Sequence, residues 1–293
     1  MHQRKYALEI ISDLGLGGSK PIATPVEMNG KLTTAVFDKH VGITSDPVLS
    51  DIGEYQRLVG RLIYLTITRP DLSYAVQNLS QFMNAPKQSH MNAAIRVVRH
   101  IKQQPGLGVL LSAQHCGSLQ AFCDDDWGSC LDTRRSITGY MVKFGESLLS
   151  WKSKKQSTIS RSSAEAEYRS LASTVAEVTW ILGLFRELDI PTVLPIVVYS
   201  DSTAAIQIAS NPVFHERTKH IDIDCHFIRE KVQRGDISIQ HLATAEQPAD
   251  VLTKGLGRLQ HEYLVSKLGM KNIFISPSLK GGIEEYAKSI DKS

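Results

Sequence analysis

The sequence has 293 residues, which is long enough to bury a sizeable core as one large domain or two ordinary ones. Hydrophobic residues make up 42% of the chain and charged residues 22%, a composition typical of a soluble globular protein. The formal net charge of +3 is too small to indicate nucleic-acid binding by itself, so such a function has to rest on local clusters of basic residues.

The first part of the chain predicts a helical module. A short helix near Lys5–Leu14 ends at a run of glycines, and the Thr-, Pro- and Gly-rich stretch after it leads us to expect residues 1–50 to be largely extended or irregular. Between Asp51 and Gln104, apolar residues recur every three or four positions, and prolines divide the stretch into three helices. We therefore expect a small all-helical module over residues 51–112.

From Leu119 onward the period of the apolar pattern changes. Three short β-like runs precede a long helix from about Ser163 to Leu188, and the β-branched run IVVYS predicts a buried strand after it. Two helices, a strand and a helix from about Gln247 complete the order β-β-β-α-β-α-α-β-α. This order predicts a mixed sheet with helices on its faces, followed by a flexible tail over residues 271–293.

Acidic residues of this second part are candidates for one site. Alternate side chains of a strand share a face, so Asp124 and Asp126 compete for the same site and Asp125 points away from it. On the long helix, Glu167 lies roughly 60° from the apolar stripe and Glu165 roughly 100° from it, at about 100° per residue. This phase favours Glu167 as the residue that faces the sheet.

Two further acids have competing interpretations. Asp201 follows the predicted central strand at its carboxyl end, where active sites of open α/β sheets are found, but Asp201 or Ser202 could instead cap the next helix. Asp250 lies near a helix start, where an Asp is also common because of the helix dipole.

Taken together, these acids predict a metal centre. Carboxylates can hold two divalent ions that activate a water and stabilise a departing oxygen, and hard oxygen ligands suit Mg²⁺ or Mn²⁺. A zinc site is not predicted, because His220, Cys225 and His226 have no answering CxxC or HxxxH motif.

Four ordered blocks resemble the ribonuclease H domain of copia-type retrotransposon Pol polyproteins. They are FCDDDWGSCLDTRRSITGY, LLSWKSKKQSTISRSSAEAEYRSLA, VVYSDSTAAIQIASNPVFHERTKHIDIDCHFIREKV and EQPADVLTKGL. The resemblance implies an α/β, ribonuclease H-like mixed five-stranded sheet over residues 117–270. It implies an endonuclease that hydrolyses the RNA strand of RNA/DNA hybrids with two Mg²⁺ or Mn²⁺ ions, leaving 3′-hydroxyl and 5′-phosphate ends. The implied metal-binding and catalytic acids are Asp124, Glu167, Asp201 and Asp250.

The helical part resembles a different region of the same polyproteins. YQRLVGRLIYLTITRPDLSYAVQNLSQFM resembles the segment after the polymerase core, and HQRKYALEIISDLGL resembles the end of that core. The paired-aspartate motif of the polymerase is missing from this sequence, so we expect no polymerase activity. Many cellular ribonucleases H carry a loop histidine before the last acid; His241 is the nearest candidate, and we expect it to end a strand instead.

Basic and hydroxyl side chains cluster near these acids. The candidates for binding the nucleic-acid backbone are Arg134, Arg135, Lys152, Lys154, Lys155, Arg161, Ser202, Arg217 and Lys219. The expected partner is an RNA/DNA hybrid, and the polymerase part of a Pol protein is a second candidate partner. An inactive nucleic-acid-binding remnant of a retrotransposon polyprotein is the alternative interpretation.

The cysteines and the chain start bear on the compartment. Four cysteines without a CxxC pair indicate reduced thiols. The sequence has no secretion signal at its start and no apolar run of roughly 20 residues, the length needed to span a bilayer. We therefore expect a protein of the cytoplasm (in a virus-like particle) or the nucleus, with no membrane partner.

Overall fold

The computed structural model describes residues 1–274 except 29, 44, 114–116 and 211–221. The N-terminal part contains α1 (Arg4–Asp13), α2 (Ala35–Val41), α3 (Ile52–Leu65), α4 (Ser73–Ser80) and α5 (Gln88–Ile101). The C-terminal part contains β1 (Leu107–Val109), β2 (Leu119–Asp126), β3 (Ile137–Phe144), β4 (Ser147–Lys155), α6 (Ser163–Glu187), β5 (Ile196–Ser200), α7 (Thr203–Ser210), α8 (Asp222–Gln233), β6 (Ile237–His241), α9 (Arg258–Ser266) and β7 (Met270–Asn272). Within these residues, no helix is both long and apolar enough to cross a membrane.

One apolar core holds the N-terminal helices together. It includes Ile10 of α1, Leu62 of α3 and Val98 of α5, all buried. The buried hydroxyl of Tyr55 donates a hydrogen bond to the carbonyl of Leu79 (2.8 Å), so this polar group keeps a partner inside the core. The three helices predicted between residues 51 and 104 are present as α3, α4 and α5.

Residues 1–50 are more ordered than the sequence pattern predicted. The helix α1 packs into the core, and α2 is a helix that we did not expect. Thr34 caps its start by accepting a backbone hydrogen bond (3.2 Å), and Gly42 ends it with a φ of 78°. A buried ion pair between Lys87 and Asp38 ties α2 to the start of α5. At seven residues, α2 is too short to show a periodic apolar pattern.

The C-terminal part is built on a five-stranded sheet in the order β4-β3-β2-β5-β6. The pairs β2–β3 and β3–β4 are antiparallel, and β2–β5 and β5–β6 are parallel. Ala121 and Cys123 of β2 pack with α6 on one face, and Phe122 packs on the opposite face against residues of the C-terminal elements. The predicted mixed sheet with helices on its faces is confirmed.

The C-terminal boundary differs from the prediction in two places. The helix expected from Gln247 is a short 3₁₀ helix (Pro248–Leu252), and α9 begins only at Arg258. Residues 271–272 were expected in a flexible tail, but β7 pairs antiparallel with β1, so both ends of the C-terminal part meet in a two-stranded sheet. The rest of the predicted tail, residues 275–293, lies outside the described residues.

Candidate metal centre

Asp124 is held rigidly on the central strand of the sheet. It pairs with Gly139 of β3, and only 1% of its surface is exposed. Its backbone carbonyl accepts a hydrogen bond from Ser170 Oγ of α6 (2.7 Å), and its carboxylate accepts one from the Thr253 hydroxyl. The carboxylate is therefore oriented by elements on both sides of the strand.

Glu165 and Glu167 have different surroundings on α6. Ser162 caps the helix by accepting a hydrogen bond from the Glu165 N–H (3.2 Å). The Glu165 carboxylate accepts hydrogen bonds from the Arg161 N–H (3.0 Å) and from Arg169 (2.9 Å), so it belongs to a local ion pair. Glu167, as its helix phase suggested, is the one that approaches Asp124.

Asp201 follows β5 directly, and the residue that caps the next helix is its neighbour Ser202. Ser202 Oγ accepts the hydrogen bond from the Ala205 N–H (3.2 Å) and so caps α7. Asp201 is left to face the sheet end, where its Oδ2 accepts a hydrogen bond from Thr244 Oγ1 (2.9 Å).

The three carboxylates converge. Ligand oxygens of Asp124, Glu167 and Asp201 lie within 4.8 Å of one another. Glu167 Oε2 and Asp201 Oδ1 are buried, and no described residue donates a hydrogen bond to either atom. Buried oxygens without a donor are costly, so this arrangement fits a cation supplied from outside the polypeptide.

The electrostatics of the cluster point the same way. Burial raises the pKa of the Asp124 carboxyl well above its usual value, against the opposing effect of Lys254. Burial also raises the pKa of Glu167 to about 10, and the carboxylates of Asp125, Asp124 and Asp201 add to this shift. A bound divalent cation would favour the ionised forms and reverse both shifts.

Asp250 reaches the site from the 3₁₀ helix but stands on the other side of Asp124. It is buried, and its Oδ1 lies 3.1 Å from Lys254 Nζ, which in turn lies 3.2 Å from Asp124 Oδ2. Gly139 allows this approach: a Cβ there would lie 2.5 Å from Thr253 Cγ2 and 2.9 Å from Leu252 Cβ. Burial raises the pKa of Asp250, and Lys254 opposes the shift.

Sequence reasoning missed two residues of this site. Asp125 was expected to point away, but it is 7% exposed, and its carboxyl is a close partner of Glu167. Burial raises the pKa of Asp125 to about 7. Lys254 was not considered, although its spacing of four residues from Asp250 was a visible signal.

The predicted nucleic-acid contacts are spread over several surfaces. Lys152 and Lys154 are exposed and, with Lys155, line a groove of about 510 Å³ that also includes Arg169, Ser157 and Thr158. Lys155 donates a hydrogen bond to Oε1 of Gln81 (2.6 Å), the residue just after α4, so it also joins the two parts of the chain.

The remaining candidates lie elsewhere. Arg134 and Arg161 are exposed, Arg135 is half-buried, and Ser202 caps α7 as described. Arg217 and Lys219 lie outside the described residues. His241 is the last residue of β6, as expected.

Sequence comparisons place the chain among transposon proteins. No protein-family model matches it. It is 42% identical over 281 residues, 96% of its length, to the retrovirus-related Pol polyprotein from transposon RE2 of Arabidopsis thaliana, and it spans 18% of that polyprotein. It is 31% identical over 275 residues, 92% of its length, to the Pol polyprotein from transposon TNT 1-94 of Nicotiana tabacum, of which it spans 20%. It is also 39% identical over 182 residues, 61% of its length, to an uncharacterized mitochondrial protein of Arabidopsis thaliana, of which it covers 71%.

One solved structure resembles part of the chain. Ribonuclease H1 from the halophilic archaeon Halobacterium salinarum aligns with a TM-score of 0.34 and 16% identity, over 46% of this chain and 94% of that one. This likeness is too weak to add to the strand order described above. The transposon relatives, with the four sequence blocks and the mixed sheet, are sufficient: the chain belongs to the copia-type retrotransposon Pol family, to the region that carries the ribonuclease H domain behind the end of the reverse transcriptase.

Proposed function

We propose that this protein is a metal-dependent endonuclease that hydrolyses the RNA strand of RNA/DNA hybrids. One observation carries the proposal: the convergence of Asp124, Glu167 and Asp201 within 4.8 Å at the end of the central strands. The buried oxygens of Glu167 and Asp201 without a hydrogen-bond donor match the hard oxygen ligands that Mg²⁺ and Mn²⁺ prefer. Within this proposal, residues 117–270 form the nuclease domain and residues 51–112 its helical neighbour.

Four acids would hold the metal: Asp124, Glu167 and Asp201, with Asp250 beside Asp124. When bound, two divalent ions supply the activation of a water and the stabilisation of the departing 3′ oxygen, which gives 3′-hydroxyl and 5′-phosphate ends. The protein's own contribution is orientation. Ser170 and Thr253 fix Asp124, and Thr244 fixes one oxygen of Asp201, so these ligands are in place before substrate arrives.

The basic groove supports nucleic acid as the substrate. Lys152, Lys154 and Arg169 line it together with the hydroxyls of Ser157 and Thr158. Such side chains contact phosphates without reading sequence, while groove shape and 2′-hydroxyl contacts distinguish a hybrid from duplex DNA. The polymerase part of a Pol polyprotein is the proposed protein partner, because the relatives carry this region within much longer chains.

The test is cleavage of a hybrid labelled on its RNA strand. With Mg²⁺ or Mn²⁺ we expect cleavage of the RNA in the hybrid, no cleavage of duplex DNA, and 5′-phosphate products. Asp201→Asn should abolish cleavage and leave hybrid binding intact, because it removes a ligand charge without touching the groove. A purified protein that binds hybrid in a salt-sensitive way but leaves it uncut with either metal would contradict the proposal.

A further inference from the structure

The two sides of Asp124 differ in their counter-charge. On one side are Glu167 and Asp201, and neither forms an ion pair within the described part of the chain. On the other side, Lys254 Nζ lies 3.2 Å from Asp124 Oδ2 and 3.1 Å from Asp250 Oδ1. The carboxylate of Asp124 is therefore shared between an open cluster and a neutralised one.

The position of Lys254 follows from the turn that ends the 3₁₀ helix. The backbone N–H of Lys254 donates to the carbonyl of Asp250 (3.1 Å), which folds the lysine back over the acid four residues earlier. The 3₁₀ helix packs closely on β3 at Gly139, so this turn brings the ammonium to Asp124 as well. The contact thus joins three parts of the chain and is not a chance encounter of flexible side chains.

We propose that Lys254 is an internal cation of the metal centre, which occupies the Asp124–Asp250 position until a second divalent ion displaces it. An ammonium and a divalent ion at the same carboxylates repel each other, so one has to leave before the other binds. The Lys254 side chain is 32% exposed, and its flexible stem allows the ammonium to move into solvent. A first ion at Asp124, Glu167 and Asp201 would meet this competition at Asp124 alone, because Glu167 and Asp201 form no ion pair with Lys254.

The inference rests on the proposed function, because it gives the order in which the proposed metal sites fill. It predicts that the second ion binds more weakly than the first and that Lys254 is the reason. A purely structural ion pair predicts the opposite for a neutral variant, since loss of the lysine would then loosen the 3₁₀ helix and weaken metal binding generally.

The experiment is a calorimetric titration of the whole chain with Mn²⁺ in the absence of nucleic acid. We expect two steps in the wild-type protein, the second weaker by about tenfold or more. Lys254→Met should strengthen the second step by about tenfold and change the first by less than about threefold.

Lys143→Met is the matched control. Lys143 of β3 donates a hydrogen bond to the carbonyl of Lys267 (3.2 Å), and its ammonium lies 4.0 Å from the Glu146 carboxylate. The substitution therefore removes one positive charge and one hydrogen bond without affecting an acid of the site. Both Mn²⁺ steps should be unchanged in this variant.

Two results would overturn the inference: two equally tight steps in the wild-type protein, or a second step in Lys254→Met that is unchanged or weaker. If the methionine variant does not fold, Lys254→Arg serves instead. It keeps the charge and adds a bidentate fork, so its second step should be at least as weak as in the wild-type protein, and a stronger step would contradict the idea.

Hybrid cleavage by the same proteins separates this inference from the proposed function. Two Mn²⁺ steps of which the second depends on Lys254, without any cleavage of hybrid, would refute the nuclease and leave the internal cation standing. Cleavage of hybrid by a protein whose second Mn²⁺ step does not depend on Lys254 would refute the internal cation alone.

Discussion

Two carboxylates of this protein are equally buried in opposite surroundings. Asp71, just before α4, and Asp124, on β2, are each 1% exposed. Arg69 donates two hydrogen bonds to Asp71 (2.9 and 2.7 Å), and His100 lies 3.5 Å from it. Burial alone would raise the pKa of Asp71, but Arg69 and His100 hold that pKa well below its usual value, whereas burial raises the pKa of Asp124 well above it.

The difference distinguishes a structural ion pair from a site that needs a ligand. Arg69 also donates to the carbonyl of Gln104 (3.2 Å), so the Asp71 network is completed by the polypeptide. Around Asp124, other carboxylates supply more negative charge than Lys254 balances. Burial of an acid therefore says little about its role; the charge of its neighbours decides it.

Glu167→Gln should have the largest effect and acts on the open cluster. We expect hybrid cleavage to fall by at least about a thousandfold, because the amide lacks the charge that holds a divalent ion. The free energy of unfolding of the metal-free protein should not fall at neutral pH, because a pKa of about 10 leaves Glu167 uncharged there and the amide is close to the protonated carboxyl in size and polarity. A labelled-hybrid assay and urea denaturation measure both. Glu187→Gln, at an exposed position of the same helix, should change neither, and a Glu167→Gln protein with more than a tenth of the activity would contradict the site.

Asp71→Asn acts on the ion-pair network of Asp71, Arg69 and His100. In contrast to Glu167→Gln, it should lower the free energy of unfolding. Removing one partner of a buried pair leaves the Arg69 charge uncompensated, which costs about 3–5 kcal/mol of the free energy of unfolding. Urea denaturation measures the loss. Asp13→Asn is the control: Asp13 pairs with Arg61 at 2.8 Å but is 61% exposed, so less than about 1 kcal/mol should be lost. Equal losses of unfolding free energy in the two variants would mean that the buried Asp71 network stabilises the protein no more than an exposed ion pair does.

Gly139→Ala tests how the two sides of Asp124 are brought together. The added methyl would overlap Thr253 and Leu252, so we expect a loss of about 1–3 kcal/mol in the free energy of unfolding and weaker Mn²⁺ binding. Gly183→Ala in α6 meets no atom within 4 Å and should stabilise the protein by about 0.5–1 kcal/mol. A Gly139→Ala protein with unchanged Mn²⁺ binding would show that the close packing of the 3₁₀ helix does not control the centre.

The smallest expected effect is a change in the pH dependence of the metal-free protein. Burial raises the pKa of Asp125 to about 7 from 3.8. A raised folded-state pKa gives stability that is fully present below about pH 4 and is lost as the pH rises to about 7. Asp125→Asn should remove part of this loss, on the order of 1 kcal/mol, because the proton is coupled to Glu167.

The measurement is the free energy of unfolding as a function of pH, without metal, for the wild-type and Asp125→Asn proteins. The difference between the two curves checks the prediction. Burial lowers the pKa values of His90 and His261 to about 4. The stability that these two residues contribute to the protein is therefore lost as the pH falls through the same window. Their contribution is common to both proteins and cancels in the difference. Two curves that stay parallel between pH 4 and 7 would contradict the position of Asp125 in the site.

Much of the fold followed from local patterns. The apolar stripe of α6 and the short β-branched run of β5 indicated their elements and their buried faces, because these signals lie within one element. The helix α2 was missed because a Thr cap and a Gly stop bound only seven residues. The pairing of β1 with β7 was missed because it joins residues more than 160 positions apart, and no local pattern reports such a contact.

The acids themselves were determined by the sequence: their type, their spacing and the phase that favours Glu167 over Glu165 are local properties. Tertiary structure decided how they meet. Strand alternation assigned Asp124 and Asp125 to opposite faces, yet the carboxyls of both residues approach Glu167. The centre lies at the end of the strands, where Glu167 arrives from one face of the sheet and the 3₁₀ helix from the other. Only that packing, which depends on the absent side chain of Gly139, sets Lys254 beside Asp124 and Asp250 and leaves Glu167 and Asp201 without an ion pair among the described residues.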